Sequence, residues 1–188
     1  MAESDRARWN EKFEARSDAL AATVPFIMEH VSALAPGARV LDLAAGDGRH
    51  SVALAKAGFS MSAVDVSDVG LSRLSGFAEL AGVQIKTHRL DLEEEDALSG
   101  LGPFDGALIS FYKPAPWLWH PLARAIPPGG RIVLATFNQA HSRATGFPLR
   151  YALEQDELLH PHPGMELRVY ESLTDERGAY DGYVWERV

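Results

Sequence analysis

The chain has 188 residues, of which 46% are hydrophobic and 23% charged, enough for one domain with its own core. A formal net charge of −8 argues against a general nucleic-acid-binding or anionic-membrane surface. The absence of cysteine excludes a disulfide framework, a thiolate nucleophile and a cysteine zinc site.

The start, MAESDRARWNEKFEAR, is charged and lacks the apolar core of a signal peptide, and no apolar run approaches membrane-spanning length. The expected setting is therefore cytoplasmic. Residues 4–16 read as a helix with Trp9 and Phe13 on one face. Residues 23–35 read as a second helix, with Val24, Ile27, Met28, Val31 and Leu34 at helical spacing and Pro36-Gly37 as its stop. Residues 1–36 thus form a helical cap before the first strand of a single domain whose core is 37–188. Trp9 has two readings, a core anchor or a lid over a ligand.

The organising stretch is RVLDLAAGDGRH, residues 39–50. Residues 40–43 are a buried strand, Ala44-Ala45-Gly46-Asp47-Gly48 a tight turn, and 48–57 an amphipathic helix. Gly46 and Gly48 carry no Cβ, which lets a ligand approach the backbone, and the helix N-terminus faces that ligand. Such a unit cradles a nucleotide. Ser51 stands where a dinucleotide fingerprint has its third glycine, and Asp42 would repel a diphosphate. The site therefore favours a nucleoside bearing an ammonium group. A second strand at about 60–66 ends in Asp65, about 20 residues beyond the turn, where a carboxylate reaches two ribose hydroxyls. Ser67 is the better cap for the next helix, which leaves Asp65 free.

Residues 67–81 are a crossover helix and 83–87 a third strand, followed by Asp91 at the same carboxyl edge as Asp42 and Asp65. The run 93–96 is a solvated helix start. Residues 103–110 form a fourth, continuously apolar strand that ends in Ser110-Phe111-Tyr112-Lys113-Pro114, where a second substrate meets the cofactor. A Trp-rich helix at 115–125, with Trp117 and Trp119 as packing residues, and a Pro-Gly turn lead to a fifth strand at 131–137. Residues 138–150 read as a long loop and 154–160 as a short helix. Residues 165–173 and 180–187 alternate and form an antiparallel hairpin with a turn at 174–178. The fold class is α/β: a Rossmann-like, mostly parallel seven-stranded sheet with helices on both faces and an antiparallel C-terminal hairpin.

No catalytic residue stands out. Tyr112, Lys113, His120, His141 and Arg143 qualify by location only. Lys113 or Arg143 holds an anionic acceptor or is a solvated loop charge. His160 and His162 flank Pro161 and read as a turn, so no metal site is expected.

VLDLAAGDG, the acid in AVDVS, the acid in RLDLE, FDGALIS and PPGGRIVLATF together resemble a class I S-adenosylmethionine-dependent methyltransferase. More narrowly, residues 39–74 resemble the small tellurite-resistance-type methyltransferases, which carry an Asp-Leu-Gly-x-Gly-Glu-Gly-Arg-Asn turn and a Val-Asp-x-Ser-x-x-Gly-Leu segment; Trp9-Asn10-Glu11-Lys12-Phe13 resembles their start. The resemblance implies S-adenosyl-L-methionine as cofactor and in-line methyl transfer to an acceptor. It implies that Asp42, Ala44, Gly46 and Gly48 surround the methionine part, Asp65 takes the ribose hydroxyls, Val66 packs on adenine, and Asp91 accepts from the adenine amine with Leu92 beside the ring. Ser110 and Phe111 would lie near the sulfonium, and Trp9 and Arg8 would help close the site. Ala44 replaces the family's first glycine, and Asp47 and His50 replace its Glu and Asn. SFYKP is not the Asn/Asp-Pro-Pro-aromatic string of nucleic-acid N-methylation, so with the acidic charge a small-molecule acceptor is expected, with no nucleic acid and no membrane partner. Two alternatives stay open: an NAD-dependent oxidoreductase on a Rossmann sheet, and a non-catalytic S-adenosylmethionine-binding protein.

Overall fold

Seven strands form one sheet in the order β3-β2-β1-β4-β5-β7-β6, in a computed structural model that describes residues 2–188. The elements run α1 (Ala2–Glu14), α2 (Pro25–Ser32), β1 (Arg39–Leu43), α3 (Arg49–Lys56), β2 (Ser60–Asp65), α4 (Asp68–Leu80), β3 (Ile85–Arg89), β4 (Gly106–Ser110), α5 (Trp119–Ala125), β5 (Arg131–Phe137), α6 (Gln139–Thr145), β6 (Met165–Asp175) and β7 (Gly178–Arg187). The strands β1 to β5 pair in parallel, and β7 pairs antiparallel with both β5 and β6. The expected sheet, its parallel core and its terminal hairpin are all present.

The inner strands β1, β4 and β5 are almost wholly buried because both faces are covered. Side chains alternate across each strand. Leu41, Leu43, Ile109, Ile132 and Leu134 pack with Leu118, Leu122 and Trp119 of the α5 layer. Val40, Leu108 and Val133 pack on the other face with Phe26, Ile27 and Val31 of α2 and Leu54 of α3. Trp119 is buried and meets Trp185 edge-on at 5.2 Å, as expected of a packing residue, whereas Trp117 is exposed.

Four local expectations are corrected. The stretch 138–150 is not a loop: Asn138 accepts the N–H groups of Ala140 and His141, α6 follows, and Gly146 at φ +75° ends it. A 3-10 turn, Leu149–Tyr151, completes the connection. The stretch 154–160 is a set of turns rather than a helix. There the Glu157 carboxylate accepts the Glu154 N–H at 2.8 Å and pairs with Lys113, and Asp156 is left-handed at φ +60°. The third strand begins two residues later than expected, because the Val83 N–H closes the end of α4 on the Ala78 carbonyl. The hairpin turn shrinks to Glu176-Arg177, since Asp175 pairs with Gly178 and its side chain accepts the Arg177 N–H.

Candidate functional site

The carboxyl ends of β1, β2 and β4 converge where the strand order reverses between β1 and β4, the position at which open α/β sheets hold ligands. The turn after β1 is held by left-handed residues: Ala44 at φ +55°, Gly46 at +58° and Gly48 at +83°. Asp65 ties this turn to β2. One of its oxygens accepts the Gly46 N–H at 2.7 Å and the other the Ser67 N–H at 2.8 Å. Burial pushes its pKa up, and these N–H donors oppose that rise. Ser67 caps α4, as expected, by accepting the Gly70 N–H.

Asp42 lies beneath the turn, fully buried, with the Ser51 hydroxyl donating to it at 2.7 Å. Desolvation pushes its pKa up to about 7. His50 is buried as well. Its Nε2 accepts the Val24 N–H at 3.0 Å, and burial pushes its pKa down to about 3, so it is neutral and structural. Asp47 is buried and ion-paired with Arg16 at 3.0 Å.

The space beside the turn glycines is filled by the chain itself. A Cβ on Gly46 would sit 2.7 Å from Phe13 Cζ, and one on Gly48 would sit 2.4 Å from Leu74 Cγ. Phe13 also lies against Gly70. The missing Cβ atoms therefore admit α1 and α4, rather than serving only the close ligand approach read from the sequence. Asn10 latches α1: its side-chain oxygen accepts from the Ser67 hydroxyl at 2.7 Å, and its amide donates to Asp68 at 2.9 Å. Arg6 pairs with Asp68 at 2.8 Å and, with Asn10, holds that carboxyl well below its ordinary range. Trp9 is half-buried at the rim, its ring under the Lys12 ammonium at 4.3 Å. It is not a buried core anchor.

At the end of β4, Phe111 is held at φ +52°, a strained conformation for a bulky residue. Its N–H donates to the Ala135 carbonyl, and its ring stacks on Phe137 at 4.4 Å. The Arg49 guanidinium lies 5.2 Å over that ring and donates to the Ser110 hydroxyl at 2.9 Å. The aromatic row continues through His141, stacked on Phe137 at 3.9 Å, and Phe147, to Tyr151. Tyr151 accepts from Arg8 across the mouth at 3.0 Å, and that bond holds its phenol below the ordinary value. On the far side, Val66 is half-buried, Leu92 is buried, and Asp91 accepts the Glu93 N–H at 2.9 Å.

The structure thus brings Asp42 and Asp65, near the ends of β1 and β2, together with Ala44, Gly46, Gly48 and Val66 on the turns that follow, with Asp91 and Leu92 past β3 and Ser110 and Phe111 at the end of β4. Several positional candidates have partners of their own or lie in solvent. The Lys113 ammonium pairs with Glu157 at 2.8 Å and donates to the Ala152 carbonyl. Tyr112 donates to Glu93, and burial raises its pKa well beyond neutral pH. His120 and Arg143 are exposed. Among the described residues no cluster of His, Asp and Glu is arranged to hold a metal ion, and no helix is long and apolar enough to cross a membrane. Sequence reasoning missed Asn10, Arg49 and Tyr151. Arg49 sits inside the turn motif, but its partner Ser110 lies 61 residues away.

Residues 7–102, half of the chain, match the family described as tellurite resistance protein TehB. The demethylmenaquinone methyltransferase of Clavibacter sepedonicus is 37% identical over 117 residues, which are 56% of this chain and 44% of that protein. A ubiquinone biosynthesis O-methyltransferase of Caulobacter sp. is 32% identical over 108 residues, 55% of this chain and 42% of that one. The matched stretch thus spans less than half the length of these curated relatives. Among solved structures, TehB from Haemophilus influenzae superposes with a TM-score of 0.73 at 16% identity, covering 96% of this chain and 67% of that one. Magnesium protoporphyrin IX methyltransferase from Synechocystis with bound SAH gives 0.76 at 16% identity, with both chains fully covered. The chain belongs to the tellurite resistance protein TehB family, and its fold is that of the class I S-adenosylmethionine-dependent methyltransferases.

Proposed function

We propose that this protein transfers a methyl group from S-adenosyl-L-methionine to a small-molecule acceptor. The observation that carries the reading is the junction of the first two turns: a buried carboxylate, Asp65, fixed by the Gly46 and Ser67 N–H groups at the point where the strand order reverses. The residues present fit the cofactor. Asp65 offers a carboxylate to vicinal hydroxyls, Val66 and Leu92 offer apolar surface to a purine, and Asp91 offers an acceptor to its amine. When bound, the cofactor supplies a methyl group on a sulfonium that leaves as a neutral thioether. The protein's part is alignment and exclusion of water, and positioning alone supplies roughly 7–11 kcal/mol in good cases. Phe111, pinned by Phe137 and Arg49, is a rigid floor at the end of β4. Arg8 and Tyr151 join α1 to the opposite rim and narrow the mouth. With Lys113 and Tyr112 already engaged, the arrangement favours an acceptor whose attacking atom arrives unprotonated. The net charge of −8 supports a small molecule over a nucleic acid.

Calorimetric titration with S-adenosylmethionine, S-adenosylhomocysteine and NADH tests the reading. Saturable binding of the first two and none of NADH is expected, followed by turnover in a panel of thiol, oxyanion, amine and phenol acceptors. NADH binding alone would refute the reading in favour of an oxidoreductase. Binding with no turnover across the panel would favour a non-catalytic cofactor-binding protein.

A further inference from the structure

α3 and α4 pack on one face of β2 and β3, at Met61, Ala63 and Ile85. On the other face the loop at 100–104 walls a groove of about 210 Å³. Its floor is Ser60 and Ser62 of β2 with Lys86 and His88 of β3, which alternation along the strands places on one side of the sheet. Ser62 and Lys86 stand opposite each other in the ladder. Asp65, at the far end of β2, is about 10 Å further along and belongs to the other side of the sheet. The groove is therefore separate from the cradle at the β1 turn. Among the described residues no Asp or Glu lines it, and the adjacent Asp105 is taken by Arg39 at 3.2 Å. Among the same residues Lys86 and His88 have no carboxylate partner. The Ser62 side chain is 93% buried, being 7% exposed, and its hydroxyl has no hydrogen-bond partner among them. A hydroxyl so far withdrawn from water is costly unless a guest satisfies it. Gly100 and Gly102 line the wall, and their N–H groups likewise have no acceptor among the described residues. Lysine on an edge strand discourages pairing with another chain, which accounts for Lys86 and Arg89 but not for a buried, unpartnered serine beside them. Hydroxyls, an ammonium and an imidazole on the floor suit an anion whose oxygens point in several directions. A planar carboxylate calls instead for the fork of a guanidinium, and the one guanidinium here is already paired.

We propose that this groove binds the phosphate group of a small ligand, with Ser62 and Lys86 as its central donors, His88 beside them and the glycine-bearing loop as its wall. The group belongs either to inorganic phosphate or to a phosphate monoester, and the chemistry of recognition is the same for both. In a chain of net charge −8 the attraction is local to these residues rather than a property of the whole surface. The site stands independently of the methyl-transfer reading.

The test is amide NMR of the isotope-labelled full chain, titrated with inorganic phosphate, glycerol 3-phosphate and glycerol. Saturable shifts centred on 60–62, 86–88 and 100–104 are expected with at least one phosphate-bearing probe, and none with glycerol. Tighter binding of glycerol 3-phosphate than of phosphate would identify a monoester as the ligand; equal or weaker binding would identify the free anion. Lys86→Met and Ser62→Ala should each weaken the binding by about 10-fold, the usual loss for one hydrogen bond to a charged group. Arg89→Met removes an exposed cation from the other side of β3 and should leave binding unchanged. Should one floor variant fail to fold, the other carries the comparison. Weakening by Arg89→Met equal to that by Lys86→Met would reduce the effect to surface potential and overturn the proposal. So would shifts that do not saturate, shifts centred on the β1 turn, equal shifts with glycerol, or wild-type binding by both floor variants.

Discussion

Phe13→Ala should release α1 from the turn while leaving the sheet folded. Among the described residues of α1, Phe13 is the one buried apolar side chain, and it rests on Gly46 and Gly70. Truncating a buried phenylalanine costs about 3–5 kcal/mol. What remains to hold α1 is polar: Arg6 to Asp68, Arg8 to Tyr151, the Asn10 bonds and, just past the helix end, Arg16 to Asp47. Exposed pairs contribute about 0–1 kcal/mol each and a net hydrogen bond about 1. A 13-residue helix is marginal by itself in water. The loss therefore falls on the docking equilibrium of α1 rather than on global unfolding. Taking the lower figure of about 3 kcal/mol, opening of α1 becomes roughly 100-fold more frequent. Hydrogen exchange read by peptide should show faster exchange for α1, with β4 and β5 unchanged. Equal acceleration in α1 and the sheet would refute the reasoning, since it would make Phe13 part of the global core. Gly46→Ala supplies an internal check. Its Cβ meets the Phe13 ring at 2.7 Å, so its effect should shrink in a Phe13→Ala background, leaving only the strain of φ +58°.

The remaining predictions concern charge and backbone. Asp42, with its folded pKa raised to about 7, adds stability that is fully present below its ordinary carboxylate range and is lost as pH rises toward 7. His50, depressed to about 3, adds stability that is present above about 6.5 and lost as pH falls toward 3. Urea unfolding from pH 4 to 7.5 should therefore show Asp42→Asn gaining relative to wild type as pH rises and His50→Gln gaining as pH falls; parallel curves would refute both assignments. Asp65→Ala should weaken S-adenosylhomocysteine by about 1.5–3 kcal/mol in calorimetry, and unchanged binding by a folded variant would rule out the ribose role. Ala44→Gly relieves about 1–2 kcal/mol of left-handed strain against about 0.5–1 of chain entropy. It should raise the melting temperature slightly, and a clear fall would show that the methyl group is needed for packing.

The sheet was legible because its inner strands are short, mostly apolar runs separated by glycine-bearing turns, as at 40–43 and 131–137. Asp42 and Asp65 were legible for a related reason: an acid at the carboxyl end of a buried strand has few places to go. α6 was missed although Asn138 and Gly146 announce its two ends, because the seven residues between them carry too little apolar periodicity. The turns at 154–160 depend on Lys113 reaching Glu157, a tertiary contact that no local window contains. The same holds at the site. Phe13 against Gly46, Asn10 against Ser67 and Arg49 against Ser110 each join segments that meet only once the sheet has brought their strands side by side. The sequence therefore exposes what one strand end carries, and hides what another element lays across it.

β7 lies between β5 and β6 although it follows both in the chain. During synthesis, the outer edge of β5 has no neighbour until residues 178–187 have emerged, and its Ile132 and Leu134 lack their cover from Tyr183 and Trp185. β6 cannot substitute, because its ladder is with β7 alone. The two strands, joined by a two-residue turn, can pair locally first and then dock as a unit. Nascent chains stalled before residue 178 expose an unpaired apolar edge, a template for association with other chains. Such chains should be the ones that recruit chaperones, and a single engineered pause before β7 should lower soluble yield more than the same pause placed after it.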